Sequence, residues 1–138
     1  MNTSLRYGFV GAGFVAKFHL LALKQVRGIE VTGVSAAAGA PELASLAREW
    51  MVGDAVVYNS VAEMARHVDV IAVFAPNFER ISIVEAIVEA VKAGAALKGV
   101  ICEKPLGRTV AEARRLVDLA ASVNLRTAYF ENQIFMKD

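Results

Sequence analysis

The sequence of 138 residues predicts an α/β domain in which a doubly wound parallel sheet of about six strands lies between two layers of helices. Three observations predict it. Six short apolar runs recur along the chain, most of them near-continuous in Val, Ile and Phe, as in strands covered by helices on both faces. Stretches of helical period separate them. The connections are short, which demands right-handed crossovers and hence parallel strands in a three-layer αβα arrangement.

The first strand is expected at Leu5–Val10 and runs through a glycine turn into a helix over 14–26. Ile29–Ser35 forms the second strand, and the helix over 41–50 has Pro41 in its first turn, where its fixed φ and missing N–H are tolerated. A third strand at 55–58 precedes a helix over 60–66, and a fourth at 68–74 precedes one over 78–93. That longer helix sets Ile81, Val84, Ile87, Val88 and Val91 on one face. Arg80, Glu85, Glu89 and Lys92 point mostly away, and Gly94 stops it. Gly99–Glu103 is the fifth strand, 109–122 the last helix and Arg126–Phe130 the sixth strand. Ser60 with Glu63 and Thr109 with Glu112 have the spacing of capping boxes, in which the hydroxyl takes a free backbone N–H and the carboxylate reaches back.

Gly11-Ala12-Gly13-Phe14-Val15-Ala16 fits the pattern G-x-G-x-x-G/A in the strand-turn-helix context that the pattern requires. Gly11 permits the tight turn. Gly13 lets backbone approach a pyrophosphate, Ala16 allows close helix-strand packing, and the N–H groups near Phe14 and Val15 face an anion at the positive end of the helix. A dinucleotide is therefore the expected ligand. A glycine-rich first turn also serves S-adenosylmethionine, but methyltransferases usually carry an acidic residue after the second strand, and Val34-Ser35-Ala36-Ala37-Ala38-Gly39 has none. The same absence weakens a preference for NAD, since a carboxylate there would bind the ribose hydroxyls and repel a 2′-phosphate. No Arg or Lys stands beside Ser35 to favour NADP positively. NAD and NADP both stay open, with the balance slightly towards NADP.

Composition removes several other classes. With 56% hydrophobic and 21% charged residues the chain folds, and 15 Lys and Arg against 14 Asp and Glu give no basic excess for a nucleic acid. Cys102 has no partner for a disulfide, and Cys102, His19 and His67 lack metal-ligand spacing, so no metal is expected. The longest uncharged run, residues 31–41, falls short of the roughly 18 residues of a membrane span. The segment 7–16 has signal-core length but carries the glycine pattern instead of a cleavage site, so the protein is expected to be soluble and cytoplasmic.

The fifth strand ends in Cys102-Glu103-Lys104-Pro105, which presents Lys104 at the carboxyl edge of the sheet, where ligands of doubly wound folds bind. An ammonium there can hydrogen-bond a substrate hydroxyl and stabilise its alkoxide. The plain alternative is a surface lysine before a turn proline. His19 and His67 read as packing or helix-end residues, and Trp50 and Phe74 as core.

Taken in order, the glycine turn, Ala75-Pro76-Asn77, Glu103-Lys104-Pro105 and Glu131-Asn132 resemble the N-terminal half of the glucose-fructose oxidoreductase / inositol dehydrogenase / MocA (Gfo/Idh/MocA) family. The resemblance covers nearly the whole chain, and Glu-Lys-Pro is its most specific part. It implies a Rossmann domain of an NAD(P)-dependent enzyme that oxidises or reduces a carbinol carbon on sugars, cyclitols or related polyols. By the same resemblance Gly11, Gly13, Phe14 and Val15 hold the pyrophosphate, and Ser35 and Ala36 lie beside the adenosine ribose. Pro76 and Asn77 border the cofactor, Glu103 and Lys104 lie near the nicotinamide, and Lys104 is the catalytic lysine. The chain departs from the family at Ala75 for Thr, Arg80 for a frequent His, and Gln133 for Arg.

The resemblance further implies that residues 1–138 are one dinucleotide-binding domain and that a C-terminal α/β domain, absent from this sequence, supplies the catalytic Asp and His. On that expectation the isolated chain binds cofactor without turnover. Its uncovered apolar surface would pair as a homo-oligomer. The alternative from another class is a non-catalytic nucleotide-sensing or scaffolding module.

Overall fold

The computed structural model describes residues 4–136, so the expected domain limits at 1 and 138 lie outside the described residues. Six parallel strands form one sheet: β1 (Leu5–Val10), β2 (Ile29–Ser35), β3 (Val56–Val57), β4 (Val70–Val73), β5 (Gly99–Glu103) and β6 (Arg126–Phe130). Their spatial order is β3-β2-β1-β4-β5-β6. The order reverses between β1 and β4, and in doubly wound sheets ligands bind at the carboxyl edge of that switch point.

Helices α1 (Phe14–Leu23) and α2 (Ala40–Glu49) cover one face, while α3 (Val61–Met64), α4 (Arg80–Lys92) and α5 (Val110–Ser122) cover the other. Each face has its own core. Phe9, Val31, Val34 and Ala72 pack with Leu20 and Leu43, and on the other side Val10, Ile71, Val73 and Val100 pack with Met64, Ile87 and Leu116. Neighbours such as Phe9 and Val10 thus enter different cores, because successive strand side chains point to opposite faces. This accounts for strands that read as continuous rather than alternating apolar runs.

Several expected bounds move. α1 ends at Leu23 rather than 26, because the chain must turn through Gly28, at φ +79°, to bring Leu5 N–H onto the Gly28 carbonyl at 2.8 Å. β3 is two exposed residues, paired only with Gly33 and Val34 of β2. The helix expected from 78 opens as a 3₁₀ turn, Asn77–Glu79, before α4 begins. A second 3₁₀ turn, Asn132–Phe135, follows β6.

The largest correction on α4 is Arg80, expected to point away from the core. It is only 2% exposed, because three backbone carbonyls described below receive its guanidinium. Both cap hydroxyls behave as expected, Ser60 and Thr109 each accepting the N–H three residues on at 3.1 Å. The Glu112 carboxylate, however, takes the Arg108 N–H at 2.8 Å and the Arg108 guanidinium instead of closing the box on Thr109.

Two glycines make a dimple in the sheet. Gly8 and Gly33 are register partners on β1 and β2, and a Cβ on either would lie about 3 Å from the Met64 side chain. The fully buried thioether occupies the volume that two absent side chains leave, and it pins the four-residue α3 to the sheet.

At the amino edge, Asp69 joins three strands. Its carboxylate accepts from the Arg6 N–H at 2.9 Å and Arg6 Nε at 3.0 Å, and Lys98 Nζ lies 2.9 Å away. The Arg6 guanidinium holds its carboxyl far below the usual carboxylate range, against the opposing effect of burial. Its own backbone bonds Arg6 on one side and Lys98 on the other, at 2.8 and 2.7 Å.

Candidate functional site

At the carboxyl edge, the turn after β1 is fixed by geometry that only glycine meets. Gly11 has φ +98°, and a Cβ there would fall 2.9 Å from the Ala75 backbone nitrogen, so the turn lies directly against the end of β4. Its N–H donates to the Ser35 carbonyl at 2.9 Å, tying the turn to β2 as well. Gly13 differs: it is the N-cap of α1, no side chain caps the helix, and a Cβ on it would meet no protein atom within 4 Å. The space beyond Gly13 is therefore open to a ligand. Ala16, fully buried, seats the first turn of α1 on the sheet.

That open space belongs to a cleft of about 720 Å³. Gly11, Gly13, Phe14 and Val15 line it from the first turn, Ser35 and Ala36 with Ala37 and Ala38 from the end of β2, and Pro76 from the end of β4. The uncapped N-terminus of a ten-residue helix offers backbone N–H groups and the positive end of its dipole, and the missing Cβ at Gly13 lets a pyrophosphate approach them. The site fits a dinucleotide on these grounds. The residues that line the cleft at the end of β2 carry no charge.

Three sequence-predicted residues lie outside that lining. Asn77, half-buried, opens the 3₁₀ turn after β4. Glu103 ends β5, accepts the Lys104 N–H, and has Oε1 3.4 Å from His19 Nε2. Lys104 is exposed, and its peptide bond to Pro105 is cis.

Around this end, His19 packs as expected, its ring centroid 4.8 Å from that of Phe74 and 4.3 Å from that of Phe130. Phe74 contributes to the cleft wall as well as stacking with Phe130 at 5.8 Å. His67 stacks on Tyr58. Cys102 is buried, and burial pushes its thiol up to about 11.

Arg80 joins the loop after β4 to the loop after β5. Its Nη2 donates to the Ala75 carbonyl at 3.1 Å, and its Nη1 donates to the carbonyls of Leu106, at 3.1 Å, and Pro105. Burial pulls its pKa below the ordinary guanidinium value. The sequence reading missed this link and also missed Asn59, Ser60, Val61, Glu79 and Ile83 in the cleft. Ser60 carried a signal, since the cap of a helix that follows a strand stands at the carboxyl edge.

Backbone donors aimed from a glycine turn into a cleft at the switch point define a dinucleotide-binding domain of the doubly wound class. Comparison with known proteins narrows the class. The model of the Gfo/Idh/MocA family, described as an oxidoreductase family with an NAD-binding Rossmann fold, matches residues 5–130, and the chain belongs to that family. No curated protein matches by sequence.

Among solved structures, a scyllo-inositol dehydrogenase from Lactobacillus casei with bound NAD(H) and scyllo-inositol is similar with TM-score 0.76 and 17% identity, over 98% of this chain and 38% of its own. A myo-inositol 2-dehydrogenase from Lactobacillus plantarum gives 0.76 and 19%, over 98% and 38%. A UDP-N-acetylglucosamine 3-dehydrogenase from Acidithiobacillus ferrooxidans gives 0.73 and 22%, over 91% and 38%. The likeness is one of fold, and the chain spans less than two fifths of each of these proteins. No helix among the described residues is long and apolar enough to cross a membrane.

Proposed function

We propose that this chain is the cofactor domain of an NAD(P)-dependent oxidoreductase that moves a hydride between nicotinamide and a carbinol carbon of a polyol, cyclitol or sugar. The observation that carries this reading is the uncapped first turn of α1, whose Gly13 opens into the cleft at the switch point. The nicotinamide, when bound, supplies or accepts the hydride. Backbone N–H groups of Gly13, Phe14 and Val15 bind the pyrophosphate beyond the turn at Gly11. Ser35 and Ala36 lie beside the adenosine ribose, Pro76 and Asn77 border the nicotinamide half, and Glu103 holds the Lys104 backbone through its N–H.

Lys104 is the catalytic residue in this reading. Its ammonium donates to the substrate hydroxyl and stabilises the oxygen as its proton leaves, which general acid–base groups accelerate by about 10² to 10⁴. A second domain, as the family resemblance implies, supplies the Asp and His that complete the proton path. The inositol dehydrogenases of like fold support the polyol class. The buried unpaired Cys102 suits a reducing compartment, and the cytoplasm is the proposed location.

The lean towards NADP rests on the uncharged lining at the end of β2, which offers no carboxylate to repel a 2′-phosphate. The exposed Phe14, Phe18 and Leu21 of α1 form an apolar stripe through which the isolated chain self-associates. Light scattering over a wide concentration range checks this, and a monomeric mass throughout refutes it. Calorimetric titration with NADH and NADPH in parallel tests the main reading. Binding of either supports it and the ratio sets the preference, whereas a folded chain that binds neither overturns the dinucleotide site.

A further inference from the structure

The loop that borders the cleft at Pro76 and the loop that carries Lys104 are held together by one side chain. Strand pairing between β4 and β5 stops at Val73 and Cys102. Beyond that pair, among the described residues, the hydrogen bonds that join the loop after β4 to the loop after β5 all pass through Arg80. The first loop carries Pro76 and Asn77, and the second carries Lys104. The guanidinium serves them separately: Nη2 takes Ala75 in the first loop, Nη1 takes Pro105 and Leu106 in the second.

A buried cation without a carboxylate partner is expensive, and among the described residues no carboxylate lies within ion-pair distance of Arg80. Its Nε–H has no acceptor either. Charge-assisted bonds to three carbonyls offset part of that cost, and the planar fork fixes the angle between its two sets of bonds. An ammonium on a flexible stem has no such fork. The arrangement spends a buried charge on the spacing of two loops.

We infer that Arg80 is a positioning residue: it sets the distance between the Pro76–Asn77 wall and Lys104, and so the geometry in which a nicotinamide and a substrate hydroxyl meet. The inference rests on the dinucleotide reading of the cleft. It separates the ligand into two halves. The adenosine and pyrophosphate contacts, on Gly11–Val15 and Ser35–Ala36, are made by β1, α1 and β2 and do not touch Arg80. The nicotinamide contacts depend on it.

The test compares NADH with ADP-ribose, which lacks the nicotinamide, on wild type, Arg80→Lys and Arg80→Met. NADH affinity is expected to fall about tenfold in both variants, as for other residues that orient a binding group, with loss of the fluorescence change that reports nicotinamide environment. ADP-ribose affinity stays within about twofold of wild type, which also shows that the variant is folded. If Arg80→Met does not fold, Arg80→Lys, which keeps the charge and loses the fork, decides alone. Unchanged NADH affinity overturns the inference, and so does an equal loss of both ligands, which marks a purely structural role. A wild-type chain that binds neither ligand overturns the underlying dinucleotide reading, and this outcome is seen before any variant is made.

Discussion

Strands β4 and β5 are tied together at both ends of the sheet, and the two ties differ in charge. At the amino edge Asp69 meets Arg6 and Lys98, so a carboxylate pairs with both cations, whose side chains reach solvent. At the carboxyl edge Arg80 meets only carbonyls, and the positive charge remains over, next to the loop that carries Lys104. The first arrangement is what a stability contact looks like. The second spends stability on geometry, which is the usual character of residues beside a functional site.

If that contrast is right, changes at the carboxyl edge alter ligand behaviour and changes at the amino edge alter stability alone. The largest effect is expected at Lys104. Within a complete oxidoreductase containing this domain, Lys104→Met should lower steady-state turnover by about 10² to 10⁴ while NADH affinity of the domain stays near wild type. Turnover that survives the substitution would remove Lys104 from the chemistry.

Next in size is a pair of glycines two residues apart. Gly13→Val should weaken NADH binding on the order of 100-fold by displacing the pyrophosphate, with little change in Tm because a Cβ there has no protein atom within 4 Å. Gly11→Ala should instead cost roughly 1 to 3 kcal/mol of stability, through a backbone of positive φ and the contact with Ala75. Equal loss of Tm in both variants would erase the distinction between a turn that serves the fold and one that serves a ligand.

The amino edge supplies the opposite test. Asp69→Asn should destabilise the chain by about 1 to 3 kcal/mol at pH 7 and leave NADH affinity unchanged. The folded-state pKa of Asp69 lies below its unfolded value of about 3.9. Its contribution is therefore complete above that value and is lost as pH falls further. Thermal melts from pH 7 to pH 3 should show the gap between wild type and variant narrowing below about pH 4. A gap constant across the range would mean that the ionised carboxylate is not what holds the strands.

The smallest effect is expected at the end of β2. Ala36→Asp places a carboxylate beside the proposed ribose, and at about 1.5 to 3 kcal/mol per charge-assisted bond the NADH to NADPH affinity ratio should rise roughly tenfold or more. Paired calorimetric titrations measure it, and an unchanged ratio would move the adenosine away from Ala36.

What the sequence discloses follows the same division. Backbone-built features are legible: the glycine turn is visible because only glycine meets φ +98° against Ala75, and the strands because cores on both faces leave no polar alternation. Side-chain ties are not. Arg6 and Asp69 stand 63 positions apart, and nothing local marks them as partners. Arg80 is harder still, since its acceptors are main-chain carbonyls that every residue possesses. On a helical wheel it reads as solvent-facing, and only its departure from the family pattern set it apart. The cleft residues Asn59 and Val61 are hidden for a related reason, because they follow β3, which is only two residues long and whose register depends on β2.

Met64 gives the molecule an internal clock. Its sulfur is sealed in the dimple over Gly8 and Gly33, and peroxide reaches it only when α3 lifts from the sheet. α3 begins at Val61, is capped by Ser60, and both residues line the cleft, so the rate at which Met64 becomes a sulfoxide measures how often that wall opens. A ligand that spans the cleft should slow the reaction, and peptide mass spectrometry that resolves Met64 from the exposed Met51 and Met136 would then report occupancy without any label.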